Sequence, residues 1–359
     1  MPDTKLKNAL EEDEEEKDVL EHSHVQKILA EKSKEELIQL FRKWNEKIGE
    51  AKVEIEKVVK GQDELLLCIL RGFICHGNIL LEGLPGLGKT VLCRSVSEIC
   101  DITFHRVQFT TDLLPSDIIG ITTYDKELGF GVLKGPIFCN LMLADEINRA
   151  PPKVQSAMLE GMAEHQVTIG KNTYKLPNPF LVVATQNPIE TGGTFVLPEA
   201  QVDRFLFKVI VDYPDFDSEL GILEDNLNTK TIDHFKLKRV LNKRDIIIMQ
   251  SLMHFVHIEP KLKKYILNII NCSRNRYEMK IKHHDLIKIG GSPRASIGIL
   301  IASKAQALMK GRHYVIPRDI KEVVYSVMRH RVILDFRSKM ENITSDDIIT
   351  EILETVKIY

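Results

Sequence analysis

Residues 83–90 read Gly-Leu-Pro-Gly-Leu-Gly-Lys-Thr and follow the apolar run Ile79-Leu80-Leu81. Val91-Leu92-Cys93-Arg94-Ser95-Val96 comes next, with the apolar spacing of a helix. An apolar strand, a glycine turn and a helix in that order restrict the chain to few folds. They form the unit with which an α/β sheet binds phosphate. Gly83, Gly88, Lys89 and Thr90 fit the pattern G-x-x-x-x-G-K-[ST]. In such a loop, backbone N–H groups and the helix N-terminus point into one concavity, which suits a polyphosphate. Gly83, Pro85, Gly86, Leu87, Gly88, Lys89, Thr90 and Val91 are therefore the candidate nucleotide-binding residues. Lys89 would neutralise the outer phosphates, and the Thr90 hydroxyl would be a ligand of Mg²⁺. The plainer alternative is a glycine turn that binds nothing.

The rest of the chain agrees with a doubly wound sheet. Strand candidates fall at 79–83, 104–110, 141–145, 180–187 and 207–213, and helical stretches separate them. Three of them are apolar on both faces, as buried parallel strands are. Residues 166–176 read as a hairpin with Gly170-Lys171-Asn172 at its turn. Ahead of the sheet, Ser33 and Glu36 form a capping box for an amphipathic helix carrying Leu37, Leu40, Phe41, Trp44, Ile48, Ala51 and Ile55. After Pro214 helical patterns take over. The expected organisation is an acidic tail at 1–32, an α/β core at 33–214 and a helical domain at 215–359.

Two acids end the strand Leu141-Met142-Leu143-Ala144-Asp145-Glu146. Ligands of such sheets collect at the carboxyl ends of the strands. Asp145 would hold Mg²⁺ through water, and Glu146 would polarise an attacking water. A strand running into a solvated turn would look the same, so the pair gains its meaning from the phosphate loop before it. Asn187 ends the strand 180–187 and would orient the water if that strand neighbours the one carrying Asp145. Otherwise it only starts a turn with Pro188. Arg204 follows Asp203 and is either a helix-end cation, paired with Asp203, or a group that reaches a neighbouring subunit's phosphates. Arg294, in Gly-Ser-Pro-Arg-Ala-Ser, is a cation at a helix N-terminus, where the dipole disfavours it. A contact with the bound nucleotide across the domain cleft would account for it.

The formal net charge of −2 gives no general pull toward nucleic acid or membrane. Acid is concentrated at 11–18, and base at 261–265 and 274–284. None of the six cysteines forms a C-x-x-C pair, and most lie in apolar segments, so reduced thiols in a cytoplasmic setting are expected. No stretch has the apolar length of a membrane span, and no membrane insertion is expected. His254 and His257, three apart on an expected helix, read as packed or exposed histidines, not as a metal site.

Taken with their order in the chain, four stretches give the sequence a resemblance to the MoxR family of AAA+ ATPases. These are 108–120 (QFTTDLLPSDIIG), 134–170 (from KGPIFCNLMLADEINRAPP onward), 184–205 (ATQNPIETGGTFVLPEAQVDRF) and 291–296 (GSPRAS). The match runs over roughly residues 50–345 by motif order. The resemblance implies an AAA+ P-loop core with a parallel sheet, followed by a smaller all-α lid. It implies ATP and Mg²⁺ as cofactors, with Asn187 as the sensor-1 residue, Arg204 as the arginine finger and Arg294 as the sensor-2 arginine. It implies an insertion at about 111–136, whose residues 127–136 form a hairpin. There Gly131 and Val132 replace the alternating aromatic and charged residues common in the family. It further implies a homo-oligomeric, hexameric ring that remodels other proteins or inserts metal cofactors. The expected partners carry von Willebrand factor A domains. Two other readings stay open: a nucleic-acid motor on the same fold, motivated by the basic C-terminal stretches, and a nucleotide-gated adaptor with little hydrolysis.

Overall fold

The computed structural model describes residues 25–125, 129–187, 193–226, 235–274 and 281–358. Residues 1–24 of the acidic tail and part of the basic stretch 274–284 lie outside them. Residues 25–30, inside the stretch expected to be tail, are helical, and Leu29 is buried in the main core. Val25 packs against the same core, one helical turn away, and this anchors the segment.

Two helices lead into the sheet. Helix α1 (Lys34–Glu56) begins at the expected capping box, in which Ser33 and Glu36 satisfy each other's backbone N–H. Its stripe of Phe41, Trp44, Ile48, Ala51 and Ile55 is buried. Helix α2 (Asp63–Cys75) follows, apolar on most of its surface. The chain then enters strand β1 (Ile79–Gly83), the phosphate loop and helix α3 (Lys89–Ile99).

Strand β2 (Phe104–Gln108) is followed by a hairpin of β3 (Gly120–Asp125) and β4 (Gly129–Lys134). The insertion hairpin is thus larger than the 127–136 segment implied, because β4 pairs with residues ahead of it. Tyr124 and Phe130 face each other across this hairpin, ring centroids 5.1 Å apart, and both are exposed. Next come β5 (Leu141–Asp145), helix α4 (Pro152–Glu164), the hairpin β6 (Gln166–Ile169)–β7 (Asn172–Lys175), β8 (Leu181–Gln186) and β9 (Phe207–Val211). Asn172 pairs with Ile169, so the turn of the second hairpin is Gly170-Lys171 alone.

The central sheet has the order β2-β5-β8-β1-β9, and each of its neighbouring pairs is parallel. Its strands are those the apolar runs pointed to. Their side chains alternate between two cores, as the two-residue strand period requires. Ile79, Leu81, Leu141, Leu143, Leu181, Val183 and Phe207 face α1, α2, α3 and the C-terminal helices. Leu80, Met142, Ala144, Val182 and Ala184 face the opposite way, onto α4 and the insertion.

Beyond residue 214, helices dominate. They include α5 (Pro260–Arg274), α6 (Pro293–Met309), α7 (Pro317–Met328) and α8 (Ser345–Thr355). A short antiparallel pair, Ile287–Ile289 with Ile333–Leu334, qualifies the all-α expectation for this region. His254 and His257 do not share a helix. A short 3-10 turn ends at Phe255, and His257 bridges Tyr314 in extended backbone, just ahead of Glu259-Pro260. Pro260 biases only Glu259 away from the helical region, in keeping with the extended segment ahead of α5. Lys261, Lys263 and Lys264 lie on the exposed side of α5, while Leu262 and Tyr265 are buried, so this basic run is the solvated face of an amphipathic helix.

Candidate active site

The phosphate loop connects β1 to α3 at the carboxyl edge of the sheet. Two of its glycines have separate causes. Gly88, directly ahead of α3, has φ 72°, a left-handed conformation that costs side-chain residues energy. Gly83 lies where a Cβ would come within 2.6 Å of the Val211 carbonyl oxygen on β9. The first glycine of the motif therefore allows two strand ends to approach, and the later one sets the turn.

Around this loop is a cavity of about 390 Å³. Gly83, Pro85, Gly86, Leu87, Gly88, Lys89, Thr90 and Val91 line one side. Asp145, Glu146, Thr185 and Asn187 close it from β5 and β8, and Arg106 and Gln108 from β2. Strand order explains the gathering. β5 lies between β2 and β8, and β8 lies beside β1, so residues far apart in sequence end on one edge. The condition placed on Asn187 is met, since its strand pairs with the strand of Asp145.

Lys89 Nζ donates to the carbonyls of Gly83 (2.9 Å) and Leu84 (3.1 Å). Burial pushes its pKa down, while the charges of Asp145 and Glu146 pull it back up. Asp145 Oδ2 accepts from Arg106 Nη2 at 2.7 Å, and its Oδ1 accepts from the Thr185 hydroxyl at 2.7 Å. The same hydroxyl accepts the Glu146 N–H at 2.8 Å, so one threonine on β8 fixes both acids. Glu146 has left-handed backbone (φ 56°), a conformation that non-glycine residues keep only when neighbours enforce it. Its Oε2 accepts from Gln108 Nε2 at 2.7 Å and from Arg149 Nε at 2.9 Å.

Thr90 and Asp145 offer a hydroxyl and a carboxylate to one cavity. These are hard oxygen donors of the kind that take Mg²⁺ together with nucleotide phosphates. The residues present therefore fit that ion.

Arg204 and Arg294 are not among the residues lining the cavity. Arg204 is exposed, and its Nη1 donates to the Leu159 carbonyl of α4 at 3.1 Å. Asp203 turns away from it, toward the C-terminal helices. There Arg331 Nε meets Asp203 Oδ1 at 2.6 Å, and Arg294 Nη1 meets Oδ2 at 3.2 Å. Arg331 is buried and also donates to the carbonyls of Asp203, Phe205, Leu206 and Val327. The turn that follows α7 thus clasps the segment that carries Arg204.

Arg106, Gln108, Thr185 and Arg149 were not singled out from sequence. The pattern Arg106-Val107-Gln108 at a strand end was visible, but its destination depends on β2 lying beside β5.

Comparison with known proteins agrees with this geometry. The ATPase family associated with various cellular activities (AAA) matches residues 78–207, and the AAA lid domain matches residues 279–352. Chaperone MoxR1 of Mycobacterium tuberculosis is 40% identical over 305 residues, covering 84% of this chain and 80% of that protein. YeaC of Bacillus subtilis is 40% identical over 312 residues, covering 87% and 94%. Protein MoxR of Paracoccus denitrificans is 30% identical over 305 residues, covering 81% and 90%. A crystal structure from Cytophaga hutchinsonii, assigned as an ATPase, superposes with a TM-score of 0.83 at 43% identity, over 89% of this chain and 97% of that one.

Proposed function

The chain belongs to the MoxR family of AAA+ ATPases, and from that premise we propose how its residues divide the work of ATP hydrolysis. The observation that carries the reading is the gathering of Lys89, Asp145, Glu146 and Asn187 on one cavity at the carboxyl edge of the sheet. Residues 83–91 cradle the phosphates through backbone N–H groups and the start of α3. Lys89 exchanges its loop carbonyls for phosphate oxygens. Glu146 accepts a proton from the attacking water, and Asn187 orients that water. Thr90 would hold Mg²⁺ through its hydroxyl, and Asp145 would hold it through water. The ion, when bound, offsets the charge that develops on the phosphates.

Arg204 is exposed and does not line its own chain's cavity, and in this reading it completes the site of a neighbouring subunit. The working unit is then a ring, for which the family resemblance supplies six subunits. The core spans 33–214, and the region 215–359 acts as the lid. Hydrolysis changes the angle between the two, and the output is mechanical: remodelling of a partner protein, with von Willebrand factor A domain proteins as the partner class. Among the described residues no helix is long and apolar enough to cross a membrane. We place the reaction in the cytoplasm, in keeping with six buried free cysteines.

Glu146→Gln tests the assignment directly. The amide keeps the shape of the carboxylate but cannot accept a proton. ATP binding by calorimetry should be retained, while turnover falls by roughly 10²–10⁴-fold. An active Glu146→Gln protein would remove Glu146 from the mechanism.

A further inference from the structure

Each acid of the cavity has its own arginine. Asp145 Oδ2 accepts from Arg106 twice, from Nη2 at 2.7 Å and from Nε at 3.1 Å. The other oxygen, Oδ1, accepts from the Thr185 hydroxyl. Glu146 Oε2 meets Arg149 Nε at 2.9 Å. Gln108 joins the two pairs: its Nε2 donates to Glu146, and its Oε1 accepts from Arg106 Nη2 at 2.9 Å. Lys89 hydrogen-bonds to the carbonyls of Gly83 and Leu84, and to no carboxylate among the described residues. Two carboxylates, Asp145 and Glu146, are thus set against three cations, Lys89, Arg106 and Arg149. These side chains give the empty site an excess of positive charge.

We propose that Arg106 keeps divalent cations out of the empty site, so that the metal enters only with the nucleotide or after it. The inference rests on the reading above, in which this cavity takes a nucleotide and Mg²⁺. Its physical basis is local charge. Arg106 lines the cavity and reaches Asp145 from the neighbouring strand β2. A cation drawn to that carboxylate meets the guanidinium already seated on it. Like charges at such range repel, and the repulsion scales with the double charge of the ion. Thr185 takes the other oxygen, so neither oxygen of the acid is without a partner. A triphosphate reverses the balance. Its negative charge outweighs the positive excess, and its oxygens add ligands. Mg²⁺ needs them, because one or two carboxylates together with substrate phosphates are its usual protein setting. Arg106 therefore sets the order of loading and takes no part in the hydrolytic step.

The test titrates nucleotide-free protein with Mn²⁺, which favours the same oxygen ligands as Mg²⁺ and is followed by electron paramagnetic resonance. The unmutated protein should bind it weakly. Arg106→Gln should bind it about two- to thirtyfold more tightly, the effect of an exposed pair of unit charges doubled for a divalent ion. Arg106→Lys keeps the charge and should stay close to the unmutated protein. Adding Asp145→Asn to Arg106→Gln should abolish the gain, because the carboxylate that draws the ion is then gone. Thermal melts check that each variant folds. An Mn²⁺ affinity that Arg106→Gln leaves unchanged, or that Arg106→Lys raises equally, overturns the proposal. So does a gain that persists with Asp145→Asn. Tight Mn²⁺ binding by the unmutated, nucleotide-free protein overturns it without any variant. Failure of the underlying reading looks different. In that case Lys89→Ala would bind ATP as well as the unmutated protein, whereas the Mn²⁺ titrations contain no nucleotide and report on Arg106 alone.

Discussion

Gln108 Nε2 lies 2.7 Å from Glu146 Oε2, so the carboxylate proposed to activate water is held by an amide from the neighbouring strand β2. Arg149 holds the same oxygen at 2.9 Å. To reach a water, Glu146 must loosen at least one of these bonds. Hydrogen bonds to charged groups contribute about 1.5–3 kcal/mol, enough to bias where the carboxylate rests. Gln108→Ala should therefore leave ATP affinity close to normal and raise basal turnover, by roughly two- to tenfold, given that part of that energy is recovered by solvent. A steady-state assay with a parallel binding titration decides it. Unchanged or reduced turnover would mean that Gln108 positions Glu146 for reaction and does not restrain it.

Lys89→Ala should weaken ATP binding by roughly ten- to a hundredfold, the loss of one charge-assisted contact in a half-buried site. The loop itself should survive, because Lys89 contributes only side-chain contacts to the carbonyls of Gly83 and Leu84. Calorimetry checks the affinity and a thermal melt checks the fold. Near-normal affinity would show that residues 83–90 do not hold the nucleotide as assigned.

Arg204→Ala should bind ATP almost normally yet hydrolyse it on the order of a thousandfold more slowly, the contribution of an arginine supplied in trans. Mixing it with Lys89→Ala should restore part of the activity. An intact phosphate loop from one protein then meets an intact arginine from the other. Two inactive proteins that stay inactive on mixing, despite demonstrated subunit exchange, would count against the shared site. Full activity of Arg204→Ala as a monomer would refute it outright.

His330 gives a pH dependence of stability. It lies between Arg329 and Arg331, is buried, and donates from Nε2 to the Phe205 carbonyl at 3.0 Å. Burial, first, and then the charge of Arg331 push its pKa well below 6.5, and Lys208 and Arg329 act the same way. The hydrogen bond to Phe205 opposes them. A histidine whose pKa is lower when folded is protonated first in the unfolded chain. Its contribution is complete above about pH 6.5 and is lost as pH falls below that, by up to ~1.4 kcal/mol per pH unit. His330→Gln keeps an N–H for the Phe205 carbonyl and cannot titrate. Thermal melts from pH 7 to pH 5 should fall less steeply for this variant than for the unmutated protein. Parallel curves would exclude His330 as the source of the slope.

The sheet was legible because its three central strands are apolar runs separated by helical stretches, and the loop because glycine, lysine and threonine have fixed spacing. Asp145, Glu146 and Asn187 could be read because each ends such a strand. Arg106, Gln108 and Thr185 could not. Each looks like an ordinary polar residue on its own strand, and only the order β2-β5-β8 sets them around the acids. The partner of Asp203 was hidden for a related reason. Its sequence neighbour Arg204 was the obvious alternative, but the actual partner, Arg331, lies 128 positions away. Residues 25–32 looked like tail because the acidic run before them dominated the local composition, while Leu29 finds its core only in three dimensions.

One hydrophobic cluster contains both Leu29 and Val356 and so joins the first and last described segments. Asn45 on α1 donates to the Met309 carbonyl at the end of α6, 264 positions later, and buried Arg71 on α2 donates to Gln306. On the ribosome, α1 emerges early, but the part of its packing that α6 supplies cannot form until α6 has been made. At about 5–20 residues per second, that interval is roughly 10–50 s. The nascent chain therefore carries the α6-facing part of α1 uncovered for much of its synthesis, and that apolar surface needs protection from aggregation until the later helices arrive.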